Sequence, residues 1–235
     1  MTENTRKKLS PDELEHIMGG HNQWLESEGA NGRRANLQSC DLSNRDLFGV
    51  VLKMAVLKDI DFSRANLRTA NLEQADLYGC RFHQAHMQWS IMNGAMLQNN
   101  DLTEANLQFC DFSHASMSDD NFTGAFFHNA FFGNAVLRNV NLTGTNLRFS
   151  DWSSSELSRT KFTASTIQLA DFRHASMKKI DFRKAHIFNT DFTGSDFDEA
   201  DFTAAMLENV NFQITNLGQK DLQEADSRKC IFNRG

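Results

Sequence analysis

The chain has little of what would interrupt a regular backbone or anchor it in a membrane. Its 235 residues include a single proline, Pro11, so every later residue can donate a backbone N–H to a hydrogen-bonded array. No apolar run approaches the length that spans a membrane. The first ten residues are polar and lack the apolar region of a signal peptide, so we expect a cytoplasmic protein.

Motifs for catalysis, cofactors and metals are also scarce. The eight histidines are scattered, no spacing of cysteine and histidine matches a zinc site, and no glycine-rich phosphate loop is present. The net charge of -6 argues against direct binding of nucleic acid, which usually requires a basic patch. We therefore expect no enzymatic activity, no cofactor and no metal.

A five-residue repeat runs through residues 35–232 without a break. Forty consecutive units each have a centre, and 39 centres are Leu, Phe, Met, Ile or Trp, with Ser227 as the exception. A small residue usually stands two positions before the centre, as in Ala65-Asn66-Leu67. A period of five fits neither an α-helix nor a β-strand. It predicts a backbone that turns a corner every five residues and keeps two side chains of each five inside.

The aromatic centres indicate how many sides the coil has. If the units are assigned to four sides in turn, with Leu37 as the first centre of side one, 13 of the 15 aromatic centres fall on sides two and four. This 20-residue superperiod predicts a square coil, with stacked coils hydrogen-bonded as in a parallel β-solenoid. Coil one is 35–54, and each later coil takes the next 20 residues. Ten coils would give a rod of roughly 48 Å at ~4.8 Å per coil.

The A-(D/N)-L-x-x pattern, as in Ala105-Asn106-Leu107, resembles the pentapeptide-repeat family. The resemblance implies an all-β solenoid, namely a right-handed quadrilateral parallel β-helix, in a bacterial protein. It also implies a range of functions: most relatives lack a known activity, whereas some resemble B-form DNA and protect DNA gyrase from quinolones. Because no insertion interrupts the array, we expect one straight rod.

The ends of the chain depart from the repeat. We expect residues 1–10 to be a flexible tail, 11–34 a helix with its connection, and 35–235 the uninterrupted repeat. Ser10 before Pro11, with Glu13 three residues after Ser10, is typical of a helix start. We expect this helix to cap the first coil, with packing along side three as an alternative. Lys220 in an inward slot and Ser227 at a centre predict that the other end frays or meets another copy.

The four cysteines all occupy the small inward slot. They are Cys40, Cys80, Cys110 and Cys230. The closest pair on one side, Cys40 and Cys80, is two coils apart and beyond disulfide reach. We expect free cysteines in the core of a protein from a reducing compartment.

Aspartates directly before the centres form columns on sides two and four, with Asp61 and Asp111 as examples. These columns are either a stripe that mimics DNA or turn residues that bond to nearby backbone. The outward charges sum to -2, -3, +1 and -2 on sides one to four, so no side carries the dense negative field of duplex DNA. The charges therefore favour the role in turns.

Side three is the exception to a polar exterior and carries the fewest charges. Its outward residues include several aromatic and aliphatic side chains, and a contiguous exposed strip of this kind usually marks an interface. The alternative is a scatter of single apolar residues, which is normal for a protein surface. The predicted partner-binding residues are Trp89, Phe109, Phe126, Phe149, Leu169 and Phe188.

These patterns support two hypotheses of function. The first is a non-enzymatic binding or scaffold protein, a rigid rod that presents side three to a protein partner or to another copy. The alternative is a DNA-mimicking modulator of DNA gyrase or topoisomerase, which the rod shape and the net acidity favour. A purely structural or self-assembling role is a third possibility.

Overall fold

The computed structural model describes residues 6–232. The repeat winds into a parallel β-solenoid of about ten turns, with one α-helix near the N-terminus. Every pairing within the repeat joins residues 20 positions apart, as Leu57 with Leu77 and Leu77 with Leu97. The predicted solenoid with four units per coil is therefore confirmed. The elements, in chain order, are β1 Lys7–Lys8, α1 Pro11–Glu26, β2 Asn36–Gln38, β3 Cys40–Asp41, β4 Val56–Lys58, β5 Asp76–Tyr78, β6 Met96–Gln98, β7 Ser116–Ser118, β8 Val136–Arg138, β9 Glu156–Ser158, β10 Thr166–Gln168, β11 Ser176–Lys178, β12 His186–Phe188, β13 Asp196–Asp198, β14 Met206–Glu208, a 3-10 helix Gln219–Leu222, and β15 Asp226–Arg228.

The sides of the coil pair in different ways. Side one forms a nine-stranded sheet in the order β13-β11-β9-β8-β7-β6-β5-β4-β2. Side three forms a four-stranded sheet, β10-β12-β14-β15, from coil seven onward. Single bridges such as Asp61 with Arg81 join the coils on side two and also on side four. All of these pairings are parallel, so each paired residue lies directly above its counterpart in the preceding coil.

Phenylalanine columns from sides two and four meet inside the coil. Phe62 and Phe82 stack along side two with ring centroids 5.0 Å apart, and Phe112 and Phe132 do the same along side four. Phe112 also meets Phe122 across the core, edge to face, at 6.3 Å. Edge-to-face and offset-stacked rings are the favoured arrangements, so aromatic centres on alternate sides pack well inside the coil.

The corners explain the remaining slots of the repeat. In most units the residue two after the centre has a left-handed backbone, as Arg64 with φ 58°, and the chain then turns inward. At Ala65 the N–H donates to the carbonyl of Phe62 at 2.9 Å, which closes the turn. The aspartates before the centres stabilise the same turns: Asp61 Oδ1 accepts from the N–H of Ser63 at 2.9 Å, and Asp111 Oδ1 from that of Ser113 at 2.8 Å. These are the backbone bonds that the sequence predicted for the acidic columns.

The N-terminal segment differs in part from the predicted tail. Residues 1–5 lie outside the described residues, but β1 pairs in parallel with β3, and Leu9 is buried. Arg6 Nε donates to the carbonyl of Asp59 at 2.9 Å, and the Arg45 guanidinium donates to that of Leu9. The segment is ordered here because the edge strand of the first coil offers unpaired backbone groups, which β1 satisfies.

Helix α1 packs against the first coil. Ser10 Oγ accepts from the N–H of Glu13, and the Glu13 carboxylate accepts from the N–H of Ser10, so both bonds of the capping box are present. Leu14, Ile17 and Met18 pack against the core cluster. The helix thus covers the open end of the solenoid and leaves the middle of side three free.

The last coil loses the regular geometry. Lys220, which the repeat would place inward, is exposed on the 3-10 helix Gln219–Leu222, and Ser227 is exposed in β15. A lysine without a partner cannot be buried cheaply, so the chain leaves the pentapeptide path there. The four cysteines are free: Cys40, Cys80 and Cys110 are buried, whereas Cys230 in this last coil is half-buried.

Candidate protein-binding surface

The predicted strip lies on side three, where each unit offers three outward columns. We call the residue before the centre the leading column, the residue after it the trailing column, and the residue two after it the corner column. Trp89, Phe109, Phe149 and Leu169 occupy the corner column on coils three, four, six and seven. Because the coils are stacked in register, the corner residues of neighbouring coils lie one coil spacing apart, about 4.8 Å.

The structure brings three of the six predicted residues into one ladder of rings. Trp89 and Phe109 stack with ring centroids 4.0 Å apart and an interplanar angle of 1°. His128, in the trailing column of coil five, meets Phe109 edge-on at 6.0 Å and Phe149 edge-on at 5.1 Å. His128 thereby bridges coil five, where Asn129 occupies the corner column.

The other predicted residues lie at different places on the same side. Leu169 follows Phe149 in the corner column and is 46% exposed. Phe126, also 46% exposed, belongs to the leading column of coil five. Phe188 is half-buried in the trailing column of coil eight, where its ring meets His186 at 6.2 Å. The structure does not join Phe188 to the ladder.

Sequence reasoning missed two exposed apolar residues beside the strip. Ile91 and Phe131 lie two residues after the corner column, at the start of side four, and are 41% and 47% exposed. Their position in the repeat assigns them to side four, although the corner brings that column next to side three. A search across corners, rather than side by side, would have found them.

The ladder has an unusual backbone for such large side chains. The φ angles of Trp89, Phe109, Phe149 and Leu169 are 64°, 60°, 60° and 54°, all in the left-handed region. Residues with a Cβ adopt this region at a cost of about 1 kcal/mol or more, and Gly and Asn adopt it most readily. Other coils of side three place Gly49, Asn129, Asn189 and Asn209 at the same position.

The polar groups of side three leave two atoms without partners. Gln88 Oε1 and Arg148 Nε are buried, and neither has a hydrogen-bond partner in the part of the chain that the structure describes. Both side chains belong to the trailing column, directly before Trp89 and Phe149. Arg148 is also the one charged residue among the 15 outward residues of side three in coils three to seven. A buried polar atom without a partner is costly to the folded chain.

Other kinds of site have less support. Within residues 6–232, no group of three or more His, Cys, Asp or Glu side chains is placed to hold a metal ion. The thiols of Cys80 and Cys110 lie in the core, where burial raises the pKa of each to about 12, which is unlike a reactive cysteine. None of the described helices is long and apolar enough to cross a membrane.

The acidic columns are largely occupied within the chain. Asp171 and Asp181 each accept hydrogen bonds from an arginine two residues later, Arg173 and Arg183, with N–O distances of 2.6 Å. Across one coil, Lys53 pairs with Glu73 at 2.8 Å on side four, and Lys178 pairs with Asp198 at 3.0 Å on side one. The exterior is therefore a mixture of paired charges.

Comparisons with known proteins agree with this architecture. HetL, a pentapeptide repeat protein involved in heterocyst differentiation regulation from the cyanobacterium Nostoc sp. Strain PCC 7120, is similar in structure, with a TM-score of 0.79 at 20% identity over 94% of each chain. QnrB1, a plasmid-mediated fluoroquinolone resistance protein, aligns at 17% identity over 85% of this chain and 90% of its own, with a TM-score of 0.49. No curated protein matches the sequence. At 20% identity the likeness to HetL concerns the fold alone, and the alignment with QnrB1 supports no conclusion about this chain.

The family itself is established from the sequence. Pentapeptide repeats match in eight copies, over residues 46–84, 80–119, 121–148, 141–178, 168–203 and 180–219. These matches cover more than half of the chain and coincide with the regular coils of the solenoid. The chain belongs to the pentapeptide-repeat family.

Proposed function

We propose that this protein is a non-enzymatic binding module, a rigid rod that presents the strip on side three to a protein partner. One observation carries the proposal: coils three to six carry a ladder of aromatic rings on side three, where Arg148 is the one charged outward residue in coils three to seven. Trp89 is 59% exposed and Phe149 42% exposed, so the strip does not seal the core of the monomer.

The backbone of the ladder supports the same conclusion. The fold requires a left-handed residue at each corner of this column and is satisfied at lower cost by Gly49 or Asn129. Trp89, Phe109 and Phe149 each add about 1 kcal/mol of backbone strain. The stack of Trp89 on Phe109 stabilises the fold by about 1 kcal/mol. The exposed area of the rings adds little to the stability of the isolated chain. The isolated chain therefore gains little from these large side chains, which supports a role in contacts with a partner.

The experiment exchanges the ladder for the residue that the backbone prefers. In the Trp89→Asn/Phe109→Asn variant we expect the free energy of unfolding to stay within about 1 kcal/mol of wild type, since relief of strain offsets the lost stack. We expect retention of protein partners on the immobilised rod to be lost. Lys184→Asn is the matched control, because Lys184 has φ 58° at an exposed corner on side two. A large loss of stability in the double variant, or full retention of partners, would contradict the proposal.

A DNA-mimicking modulator of DNA gyrase has less support. The aspartates of the acidic columns accept backbone N–H groups, and several are paired with arginine or lysine. A gyrase supercoiling assay with the purified protein separates the two functions. Our proposal predicts unchanged supercoiling at every ratio of rod to enzyme, whereas inhibition or protection would favour the modulator.

A further inference from the structure

We propose that the strip binds a second copy of this chain, with the two rods antiparallel and a two-fold axis passing through coil five. The inference rests on the proposed function, since it names the partner of the same surface. It is argued from the symmetry of the strip, from its unpartnered polar atoms and from the position of its charges.

The strip is nearly symmetric about coil five. Phe109 and Phe149 lie one coil to either side of it, and Trp89 and Leu169 lie two coils to either side. A two-fold axis in the interface, perpendicular to the rods, places coil n opposite coil 10 − n and keeps each column opposite itself. Phe109 then faces Phe149 of the second copy, and Trp89 faces Leu169 of the second copy.

The same operation places polar side chains opposite the two residues that carry the unpaired atoms. Gln88 in coil three faces Gln168 of the second copy, and Arg148 in coil six faces Gln108 of the second copy. A glutamine amide offers both a donor, for Gln88 Oε1, and an acceptor, for Arg148 Nε. Each pairing occurs twice in the dimer, so a rotamer change that brings Gln88 Oε1 and Arg148 Nε to the surface lets all four atoms find partners.

The charges are also compatible with antiparallel rods. Arg148 faces an uncharged side chain, and no like charges meet among the coils that overlap. Arg68 of coil two faces Phe188 of the second copy, and a guanidinium over an aromatic ring forms a favourable cation–π contact. Arg68 already lies over the ring of Phe48 at 5.7 Å and lines a shallow cleft with Asn66, His86 and Gln88. Phe188 thus gains a place in the interface although it is far from the ladder.

A parallel dimer would use the strip less well. With the two-fold axis along the rods, the leading column of one copy faces the trailing column of the other. The corner column then faces the corner between sides two and three of the second copy. Trp89 and Phe109 would then meet Gln84 and Glu104 of the second copy. Rings against a carboxylate bury less apolar surface than rings against rings, so the antiparallel arrangement is favoured.

The size of the face sets the expected affinity. Coils one to nine span ~38 Å, and three outward positions make a face ~10 Å wide, so each copy buries roughly 400–600 Å². A standard stable interface buries about 800 Å² per partner. We therefore expect a weak dimer that forms over a micromolar range of concentration.

Cross-linking at the two-fold axis tests the arrangement directly. Asn129 of coil five faces itself across the axis, whereas Asn189 of coil eight faces Thr69 of the second copy. Both are corner asparagines with φ 55° and 48°, so Asn129→Cys and Asn189→Cys are matched variants. Each is made with Cys230→Ser, because Cys230 is half-buried while the other cysteines are buried. A short bismaleimide should link Asn129→Cys into a covalent dimer and leave Asn189→Cys monomeric.

Charge exchange provides an independent test by light scattering over a series of concentrations. Gln108→Arg places a cation opposite Arg148 twice and should weaken the dimer by about tenfold or more. Adding Arg148→Glu to that variant should restore it, because each introduced carboxylate faces an introduced guanidinium. Equal cross-linking of both cysteine variants, or a dimer that is insensitive to Gln108→Arg, would overturn the antiparallel arrangement.

The failure of this inference differs from failure of the proposed function. Wild type that stays monomeric up to about 1 mM excludes the second copy as partner, since even a weak specific interface would form there. If the Trp89→Asn/Phe109→Asn variant still loses another protein that wild type retains, the binding function stands without the dimer. If that variant instead loses stability and no binding, both proposals fail together.

Discussion

Asp120 provides a sharp test of how the inward slots tolerate polar groups. Among residues 6–232, Asp120 is the one Asp, Glu, Lys or Arg that is buried, and it occupies the inward slot between sides one and two. Its Oδ1 accepts from the backbone N–H and the side-chain amide of Asn100, at 2.8 and 2.9 Å, and its Oδ2 accepts from the N–H of Ser118 at 3.1 Å. Burial raises the pKa of Asp120 to about 7, since removal of water outweighs these donors, and the charge of Asp119 acts in the same direction.

The size of the effect follows from proton linkage. A free aspartate has a pKa of about 3.9, and each unit is 1.36 kcal/mol, so ionising Asp120 costs the folded state about 4 kcal/mol relative to the unfolded chain. Because the pKa is raised on folding, the native state binds more protons than the unfolded state between about pH 4 and pH 7. The contribution of Asp120 to stability therefore falls as pH rises through this window and is constant above it.

Asp120→Asn removes the charge and keeps a geometry that the solenoid already contains. Asn100 Oδ1 accepts from the N–H of Cys80, 20 residues earlier, and Asn100 Nδ2 donates to the carbonyl of Leu77, 23 residues earlier. An asparagine at position 120 can make the same two bonds one coil later, because the N–H of Asn100 lies 20 residues earlier and the carbonyl of Leu97 lies 23 residues earlier. We expect the variant to match wild type near pH 4 and to exceed it by up to about 4 kcal/mol at pH 8.

The assay is denaturant unfolding of wild type and variant at several values of pH, with hydrogen exchange of the Asn100 and Ser118 amides as a local readout. The quantity to compare is the difference in the free energy of unfolding between the two proteins. Other carboxylates also make stability depend on pH: hydrogen bonds from Ser43 lower the pKa of Asp41, for example, so its contribution to stability falls at acid pH. Such contributions are the same in both proteins and cancel in the difference. Asp101→Asn is the matched control: Asp101 accepts from the N–H of Thr103, a role that Asn121 fills in the next coil. Parallel pH profiles for wild type and Asp120→Asn would refute the reasoning, as would a variant that is less stable at every pH.

Two further predictions concern the core and the cap. Phe172 is buried and stacks on Trp152 at 5.6 Å and Phe192 at 4.9 Å, so Phe172→Ala should cost ~3–5 kcal/mol in the free energy of unfolding, and a near-neutral result would contradict the register. His21 Nδ1 accepts from the N–H of Ala35 at 3.1 Å and burial lowers the pKa of His21, so its contribution is complete above about pH 6.5 and is lost as pH falls. Trp24 stacks on His21, so the fluorescence of Trp24 should report loosening of the helical cap at acid pH. We expect this transition in the control variant His16→Gln and not in His21→Asn. Identical transitions in the two variants would exclude His21 as the cause.

The sequence predicts the coil because the two inward positions recur every five residues, with no insertion, through all 40 units. Any aromatic centre, such as Phe172, has a position that follows from its number alone, and the stack of Trp89 on Phe109 follows from their shared column. The bridging role of His128 does not follow, because the repeat fixes the backbone of the trailing column and leaves the side-chain rotamer open. The order of residues 6–9 was missed for another reason: a two-residue strand has no period, and only the exposed edge of the first coil stabilises it.

The corner column shows where function can be read in such a fold. The backbone of every unit is nearly the same, and most corners are left-handed and carry a polar or small residue. On sides one and two, no corner position carries an aromatic or a large aliphatic residue, whereas side three carries four within five coils. Three of the four are exposed and Phe109 is half-buried, so they contribute little to the core of the rod. Contact with another molecule would account for them, and the near symmetry of the four about coil five makes a second copy the partner to test.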